Sequence, residues 1–433
     1  MTALGKGSAP LTNLVELATA ILKENDRGLY SVPTSGLYPF QWNWDSCLTA
    51  LGQAWNDENR AWTEVATLMD HQWPDGMVPH IIFHREDDSY FPGPDVWDTG
   101  RPVPTSGITQ PPIAGFVIRR LFERARDMDL AERRVRELLP KVAAWHDWFH
   151  NTRDPGETGL VAILHPWESG RDNSIDWDEA LARVPDDGVA PYVRKDTSHV
   201  DHAQRPTKVE YDRYLWLLQH FRSLDWDNTQ LHDASPFRMV DPALNSILIR
   251  SEDDVAWLAE QLGQPDLAAS QRANAEAGRK ALEKLWSDEH GQYVCFDRVS
   301  SSLVDSASVG GFLPFFAGID DMAHRAALAD RLRELLSRVR FFIPSHDPSD
   351  PRFDGLRYWR GPAWFVVNYL IVDGLSRAGE VDLAKRITES SLELAERGDL
   401  SEYYDPHTGR GLGGGEFTWT AAMVLEFLKR RDA

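Results

Sequence analysis

The sequence predicts an all-α protein of about twelve helices whose functional loops gather at one mouth. Three observations favour this fold class. Apolar residues recur at helical spacing along the whole chain, and the alternating patterns typical of strands are scarce. Tryptophan and tyrosine concentrate in the connections, among Gly, Pro and carboxylate residues, where a rigid scaffold usually holds its binding chemistry. A parallel α/β fold is therefore disfavoured.

The helical segments carry start and stop signals that support them. Pro362 stands where the first turn of a helix needs no N–H, and Gly379 and Gly398 suit left-handed C-terminal caps. Short extended pieces at 78–83 and 293–296 are candidates for hairpins. The predicted helices are residues 11–25, 45–55, 61–72, 112–125, 130–149, 208–224, 242–263, 265–286, 322–337, 361–379, 380–398 and 417–431.

One stretch differs from the helices in composition. Residues 180–206 are rich in Asp, Pro, Arg and His, and we predict that they form an excursion that covers the mouth as a lid. No shift in composition marks a domain boundary. With 42% hydrophobic and 26% charged residues, the chain can bury a large core. We therefore expect a single domain over residues 1–433.

The charge and the cysteine content exclude several classes of partner and location. A formal net charge of −21 disfavours nucleic acid and anionic membranes, because both attract clustered Lys and Arg. No apolar run approaches about 18 residues, and the N-terminal segment has no charged leader before an apolar run. Cys47 and Cys295 are too few for a disulfide framework, so we expect a cytoplasmic protein. Homo-oligomerisation stays open.

Two loops combine carboxylates with aromatic rings. They are HPWESGRDNS at 165–174 and SEYYDP at 401–406, which leads into GLGGGEFTW at 411–419. Hydrolysis of a glycosidic bond needs one group that protonates the departing oxygen, another that activates water, and aromatic surface against the sugar ring. These loops supply all three. The fold must bring them together, because they lie far apart along the chain.

The same residues carry a resemblance to a known family. WESGRDNS at 167–174 resembles the general-acid motif of glycoside hydrolase family 63, which includes the processing α-glucosidases. EYYDPHTG at 402–409 with FTW at 417–419 is similar to the family's general-base region, and to those of glucoamylases and trehalases. FQWNWD at 40–45, DGMVPH at 75–80 and YWRGPAW at 358–364 extend the match in order over nearly the whole chain. Within the family, the chain resembles the bacterial glucosylglycerate and mannosylglycerate hydrolases.

The resemblance implies an (α/α)₆ barrel, inversion at the anomeric carbon, and neither a metal nor a cofactor. It implies that Asp172 is the general acid and Glu402 the general base. The acid must stay protonated until attack, so we expect apolar and aromatic surroundings to raise the pKa of Asp172 while Glu402 stays ionised. Inversion requires the two carboxyl groups to stand ~6.5–9.5 Å apart, with a water between them.

The resemblance also implies a set of sugar-binding residues. Asp45 would accept hydrogen bonds from sugar hydroxyls, and aromatic rings would stack on the sugar. A glycerate carboxylate would need a cation and hydroxyl donors, and Arg213, Tyr90 and Tyr358 are the candidates. The remaining candidates for the sugar site are Tyr38, Trp42, Trp44, Gln110, Trp167, Trp359 and Trp419.

Each candidate has a structural alternative. Asp172 and Asp45 are also suited to capping a helix, and the tryptophans to packing in the core. Glu168 and Glu416 are rival carboxylates in the two catalytic loops. Arg213 is equally suited to pairing with a carboxylate on its own helix face.

Other functions use different residues. His146 with His150, and the cluster of His199, Asp201 and His202, require that a metal site be considered, although neither has a full ligand set. An α-glucosidase or trehalase-like enzyme acting on neutral disaccharides would use the same two carboxylates. A sugar epimerase would call for paired histidines at the mouth, and a sugar-binding module would lack turnover.

Overall fold

The computed structural model describes residues 11–196, 200–398 and 400–431, and most of them are helical. Sixteen α-helices lie within these ranges. Their bounds are α1 Leu11–Glu24, α2 Asn43–Gln53, α3 Glu58–Met69, α4 Pro94–Trp97, α5 Ala114–Glu123, α6 Met128–Arg153, α7 Asp178–Ala182, α8 Lys208–Ser223, α9 Asn228–Ala234, α10 Pro242–Gln261, α11 Pro265–Leu282, α12 Pro314–Ala317, α13 Met322–Leu336, α14 Phe365–Arg377, α15 Val381–Ala395 and α16 Thr418–Arg431.

The helices form two concentric rings. In the inner ring α2, α5, α10, α12, α14 and α16 each contact the next, and α16 closes the ring on α2. The outer helices α1, α3, α6, α11, α13 and α15 alternate with them along the chain. This arrangement confirms the predicted (α/α)₆ barrel.

The burial pattern explains which helices form which ring. In α14 every residue from Phe365 to Leu375 is buried, as expected for a helix that is surrounded by others. In α15, which contacts α14 and α16, buried residues recur at helical spacing and the opposite face is exposed. The same contrast separates α16, buried from Thr418 to Leu428, from α11.

One inner helix was not predicted, and one predicted helix lies outside the ring. The sixth inner position belongs to α12, a four-residue helix that follows the 3₁₀ turn Val309–Phe312. It lies against α14 at Gly374, where a Cβ would approach the backbone of Phe315 to 2.3 Å. The helix predicted at 208–224 is α8, and it lies over the mouth loops instead of in the ring.

The strands are short and antiparallel. In the described residues they are β1 Gln41–Trp42, β2 Ile81–Ile82, β3 Ala162–Ile163, β4 Met239–Val240, β5 Trp286–Ser287, β6 Gln292–Tyr293, β7 Phe296–Asp297, β8 Ser302–Leu303, β9 Tyr403–Tyr404 and β10 Gly411–Leu412. They pair as β1–β2, β5–β6, β9–β10 and, in one four-stranded sheet, β3–β4–β7–β8. The piece predicted at 78–83 therefore pairs with β1 and does not form a local hairpin.

A long insertion leaves the barrel between β3 and β4. Because Ala162 pairs with Val240, the chain departs and returns at the same place, and residues 164–238 lie between these strands. The insertion contains the 3₁₀ turns Pro166–Ser169 and Ile175–Trp177 as well as α7, α8 and α9. Thr207 and Glu210 form a capping box at the start of α8. The predicted excursion at 180–206 is part of this insertion.

In the described part of the chain, no helix combines the length and the apolar composition that a membrane span requires.

Candidate active site

A pocket at the mouth of the barrel encloses about 760 Å³ of space, including its opening. Ten of the predicted site residues line it: Tyr38, Trp42, Trp44, Asp45, Tyr90, Gln110, Trp167, Asp172, Tyr358 and Trp419. The lining residues without a predicted role include His80, Phe91, Asp196, Arg205, Tyr211 and Phe417. The structure therefore brings side chains from both ends of the chain and from the insertion to one place.

Asp172 lies on the insertion, in the turn between the 3₁₀ segments Pro166–Ser169 and Ile175–Trp177. The Tyr214 hydroxyl of α8 donates to the Asp172 carbonyl over 2.7 Å. The Asp172 carboxyl group receives a hydrogen bond from its own backbone amide, which favours the charged form. Burial raises the pKa of this carboxyl group to about 7, and the charge of Arg205 only partly opposes the increase. A group with this pKa can hold a proton near neutral pH, as a general acid must.

The neighbouring Arg171 holds the turn that carries Asp172 in place through hydrogen bonds. Its buried guanidinium donates to Asp176 over 2.9 Å, to Asp241 over 2.8 Å and to Ser308 over 3.1 Å. Asp241 caps α10, and Ser308 precedes the inner-ring segment. The acid turn is thus tied to two parts of the rigid ring.

Gly170 lets an aromatic wall approach the acid. It adopts φ +67°, and a Cβ at this position would lie 2.7 Å from the Trp44 ring. A larger residue would push Trp44 away from the turn that carries Asp172, besides adopting a strained backbone.

Glu402 is 1% exposed and receives three hydrogen bonds. The Tyr38 hydroxyl donates to Oε1 over 3.1 Å, and Arg205 Nη2 and the Gly414 amide donate to Oε2 over 3.2 and 3.0 Å. Burial raises the pKa of Glu402, while Arg205 and these donors act in the opposite direction because they favour the charged form. All three donors stabilise a carboxylate, the form that a general base needs.

The glycine-rich segment after β10 shapes the surroundings of Glu402. Gly413 has φ +69°, and a Cβ there would lie 2.3 Å from Glu402 Oε2. Its neighbour Gly414 donates the backbone hydrogen bond just described. The position of this segment against Glu402 explains its glycines.

Arg205 is a pocket residue that the sequence did not single out, although it contacts Glu402. It is 4% exposed, and Nη1 donates to the Tyr38 hydroxyl over 2.7 Å. Its guanidinium carbon lies 4.8 Å from the centre of the Tyr358 ring and 5.7 Å from that of Tyr38. The signal for it was the arginine content of the predicted lid.

Arg213, predicted as the cation of the site, does not line the pocket. It lies on α8 two residues after Tyr211, whose side chain faces the pocket. Two positions along an α-helix turn a side chain by about 200°, so Tyr211 and Arg213 point in opposite directions. The cation that lines the pocket comes from the turn before α8 instead.

Asp45 is a third buried carboxyl group of the pocket. It lies in the first turn of α2, but the helix begins after Trp42 and no side chain caps it. Burial and then the neighbouring Glu402 raise the pKa of Asp45 well above its usual range, and Asp172 adds to the increase. Since such coupling requires proximity, the three carboxyl groups lie close together. Asp45 and Asp172 line the pocket, whereas Glu402 does not and contacts the lining residues Tyr38 and Arg205.

Tyr358 holds its ring through a strained backbone. Its φ is +33°, and residues other than glycine rarely adopt a positive φ. Ring contacts with Trp364 at 5.3 Å and Tyr403 at 5.5 Å support it, and its hydroxyl lies 3.5 Å from that of Tyr38. Strain of this kind is common at ligand sites.

Trp359 does not line the pocket. It is 1% exposed and stacks on Trp364 with 3.9 Å between ring centres and 1° between ring planes. Trp364 in turn contacts the lining residues Tyr358 and Trp419. Trp359 therefore supports the aromatic wall from behind.

The rival carboxylates lie away from the pocket. Glu168 is buried and accepts hydrogen bonds from Arg153 and from the Leu164 amide, so it holds the loop together. Glu416 is exposed to solvent. Neither lines the cavity.

The histidine pairs do not form a metal site among the described residues. His146 contacts Gln271 and Ser251, and His150 pairs with Glu252. Asp201 and His202 are exposed. His199 lies outside the described residues.

Comparison with known proteins identifies the family. Residues 38–420 match the model of the mannosylglycerate hydrolase MGH1-like glycoside hydrolase domain. The chain belongs to this family. The match covers both catalytic candidates, and it confirms the expected glycoside hydrolase.

Relatives of this MGH1-like glycoside hydrolase are similar over most of their length. Mannosylglycerate hydrolase MGH1 of Selaginella moellendorffii is 49% identical over 415 residues, which are 96% of this chain and 85% of the relative. Glucosylglycerate hydrolase of Mycolicibacterium hassiacum is 33% identical over 440 residues, with 96% of this chain and 98% of the relative covered.

A solved structure supports the same assignment. The crystal structure of the family 63 mannosylglycerate hydrolase from Thermus thermophilus, in complex with Tris and D-glycerate, is 45% identical and covers 96% of this chain and 100% of its own. Its TM-score is 0.93. The predicted resemblance to family 63, whose enzymes are inverting, is therefore confirmed.

Proposed function

We propose that this MGH1-like enzyme hydrolyses an α-linked hexosyl glycerate, mannosylglycerate or glucosylglycerate, to the free hexose and glycerate. The observation that carries the proposal is the cation at the mouth. Among the described residues that line the pocket, Arg205 is the one lysine or arginine. A buried aglycone carboxylate needs such a partner, whereas a second neutral sugar does not.

Arg205 and Asp172 lie close to the same part of the pocket, near Tyr90 and Tyr358. Burial raises the pKa values of Tyr90 and Tyr358, and the nearby Asp172 carboxylate adds to both increases. The charge of Arg205 in turn acts on Asp172. A glycerate held by Arg205 and the two tyrosine hydroxyls would therefore have its glycosidic oxygen within reach of Asp172.

Hydrolysis then follows a single displacement. Glu402 removes a proton from water, whose oxygen bonds to the anomeric carbon as the bond from that carbon to the glycerate oxygen breaks. Asp172 gives its proton to the departing oxygen. The raised pKa of Asp172 and the three hydrogen bonds to Glu402 support these roles. We assign the sugar ring to the space between them, against Trp42, Trp44 and Asp45.

The relatives support the proposed substrate. Those at 45% and 49% identity are named mannosylglycerate hydrolases, and the one at 33% is a glucosylglycerate hydrolase. The Thermus structure contains D-glycerate, the proposed aglycone. We propose a cytoplasmic location, with which the two buried, unpaired cysteines are compatible.

The test is a panel of mannosylglycerate, glucosylglycerate, trehalose and an aryl α-glucoside, followed by NMR at the anomeric proton. We expect the β-anomer of the hexose as the first product and a kcat/KM for one glycerate glycoside at least about 100-fold above those for the neutral substrates. Preference for trehalose would reject the glycerate proposal. Initial release of the α-anomer would reject the assigned roles of Asp172 and Glu402.

A further inference from the structure

The Arg205 guanidinium is hydrogen-bonded to the proposed general base and to a neighbouring tyrosine. Nη2 donates to Glu402 over 3.2 Å and Nη1 to Tyr38 over 2.7 Å, whereas Nε is buried without a partner among the described residues. A buried donor without an acceptor is costly, and a ligand in the pocket can relieve that cost. The guanidinium therefore has an available donor and an existing ion pair at the same site.

The charge balance of the pocket forces a competition. The charge of Arg205 acts on Glu402 and Asp172, Asp45 lies near both of these carboxyl groups, and burial raises the pKa of all three. With Asp45 and Asp172 protonated, the pair of Arg205 and Glu402 is neutral. The arrival of a substrate carboxylate adds one negative charge, which only Arg205 among the lining residues can compensate.

The basicity of Glu402 depends on whether Arg205 is paired with it or with another carboxylate. The positive charge of Arg205 stabilises ionised Glu402 and so weakens its affinity for the proton of water. If the guanidinium turns toward another carboxylate, that stabilisation decreases and Glu402 becomes a stronger base.

We propose that the aglycone carboxylate and Glu402 compete for Arg205, so that binding of an anionic aglycone releases and activates the general base. This inference rests on the proposed function, because it takes glycerate as the aglycone. It makes Arg205 a specificity-determining residue in two ways. The residue attracts the anionic substrate, and it keeps Glu402 in a weakly basic state when a neutral glycoside is bound.

Glycosyl fluorides test the competition directly. α-D-Mannosyl fluoride and α-D-glucosyl fluoride leave the aglycone space open, so D-glycerate can bind beside them. In their hydrolysis the water oxygen bonds to the anomeric carbon, fluoride departs with the bonding electrons, and the proton goes to Glu402. Because fluoride needs no proton from Asp172, the rate reports on the base.

We expect D-glycerate to accelerate fluoride hydrolysis in a saturable manner, by roughly 3- to 10-fold. Glycerol, the uncharged control, should not. The acid limb of the rate profile should move to higher pH with glycerate, because Glu402 becomes more basic. A shift of this limb distinguishes the exchange from simple closure of the insertion, which leaves the basicity of Glu402 unchanged. The titratable and charged groups that interact with Glu402 in this profile are Asp45, Asp172, Tyr38, Tyr358, Tyr403 and Arg205.

Two variants isolate the arginine. In Arg205→Met the acceleration by glycerate should disappear, whereas Arg213→Met, on α8 but outside the pocket, should keep it. Arg205→Lys retains the positive charge and should keep part of the acceleration by glycerate. Circular dichroism verifies the fold of each variant.

Inhibition by glycerate, or no effect at concentrations that raise the melting temperature of the wild type, would overturn the proposal. An unchanged acid limb would overturn it as well. These results are separate from the failure of the proposed function. If neither glycerate glycoside is hydrolysed but the anion still accelerates the fluorides, the substrate is wrong and the competition stands.

Discussion

Arg205 Nη2 donates a hydrogen bond to Glu402 Oε2 over 3.2 Å, although 197 residues separate them in the sequence. The arginine comes from the insertion and the glutamate from the turn before β9. The contact therefore depends on the position of the insertion over the ring, and it joins the proposed cation of the aglycone site to the proposed general base.

Removal of either catalytic carboxyl group should abolish most of the activity. We expect Asp172→Asn and Glu402→Gln to lower kcat by about 10²- to 10⁴-fold, because each removes one proton transfer. Glu416→Gln, an exposed carboxylate in the same loop as Glu402, is the matched control and should stay near the wild-type value. Turnover by Asp172→Asn close to that of the wild type would contradict its role as the acid.

The rate should decrease above about pH 7. Burial raises the pKa of Asp172 to about 7, so at higher pH the group loses the proton that it must donate. We expect kcat/KM on a glycerate glycoside to decrease about tenfold per pH unit in the alkaline range. The same limb should be absent with a glycosyl fluoride, whose leaving group needs no proton. An alkaline limb shared by both substrates would assign it to another group.

The Asp172 carboxyl group should lower the free energy of unfolding at alkaline pH. The folded-state pKa of Asp172, about 7, lies above its ordinary value of 3.8, so the folded state binds the proton more tightly than the unfolded state. This contribution to stability is lost as the pH rises from about 4 through about 7. Asp172→Asn should therefore raise the free energy of unfolding at pH 8 by up to about 4 kcal/mol, with little change at pH 4. Denaturant titrations at both pH values check this.

Replacement of Arg205 should lower the catalytic efficiency of the enzyme for an anionic substrate. Arg205→Met should lower kcat/KM for the preferred glycerate glycoside by about 10- to 100-fold, because charge-assisted hydrogen bonds contribute about 1.5–3 kcal/mol. Arg213→Met should retain more than half of the wild-type value. Equal losses in both variants would show that the effect does not depend on a cation inside the pocket.

A methyl group beside the base should be harmful at one glycine and tolerated at another. In Gly413→Ala the new Cβ would lie 2.3 Å from Glu402 Oε2 on a backbone at φ +69°, so the carboxylate must move. We expect kcat to decrease at least about tenfold. Gly415→Ala has nothing within 4 Å of its Cβ and should behave as the wild type. Steady-state kinetics on both variants test this difference.

The sequence predicted the barrel well, because its helices are long and periodic. Each of the predicted helical segments has a counterpart in the described structure. The errors have physical causes. Four buried residues from Pro314 to Ala317 are too few to show a helical period, so α12 was missed. The period of α8 describes one buried face, and it cannot tell whether that face lies against the ring or over the mouth.

The site was predictable where a motif exists and not elsewhere. Asp172 and Glu402 stand in loops with recognisable patterns, and the aromatic wall follows from the same loops. Arg205 stands in an irregular polar stretch, where spacing gives no information about direction. Its role depends on a contact with Glu402 that only the folded chain creates. The choice of Arg213 failed because a helical position does not specify which face meets the pocket.

The insertion between β3 and β4 also has a consequence for protein engineering. Both of its ends lie on paired strands of a small sheet, and it carries Asp172 together with Arg205, whereas Glu402 belongs to the far end of the chain. On the proposed roles, a graft of this segment from a relative with another leaving-group preference would transfer the proton donor and the cation together. Tyr90 and Tyr358 would stay in place, as would the residues assigned to the hexose and to activation of water.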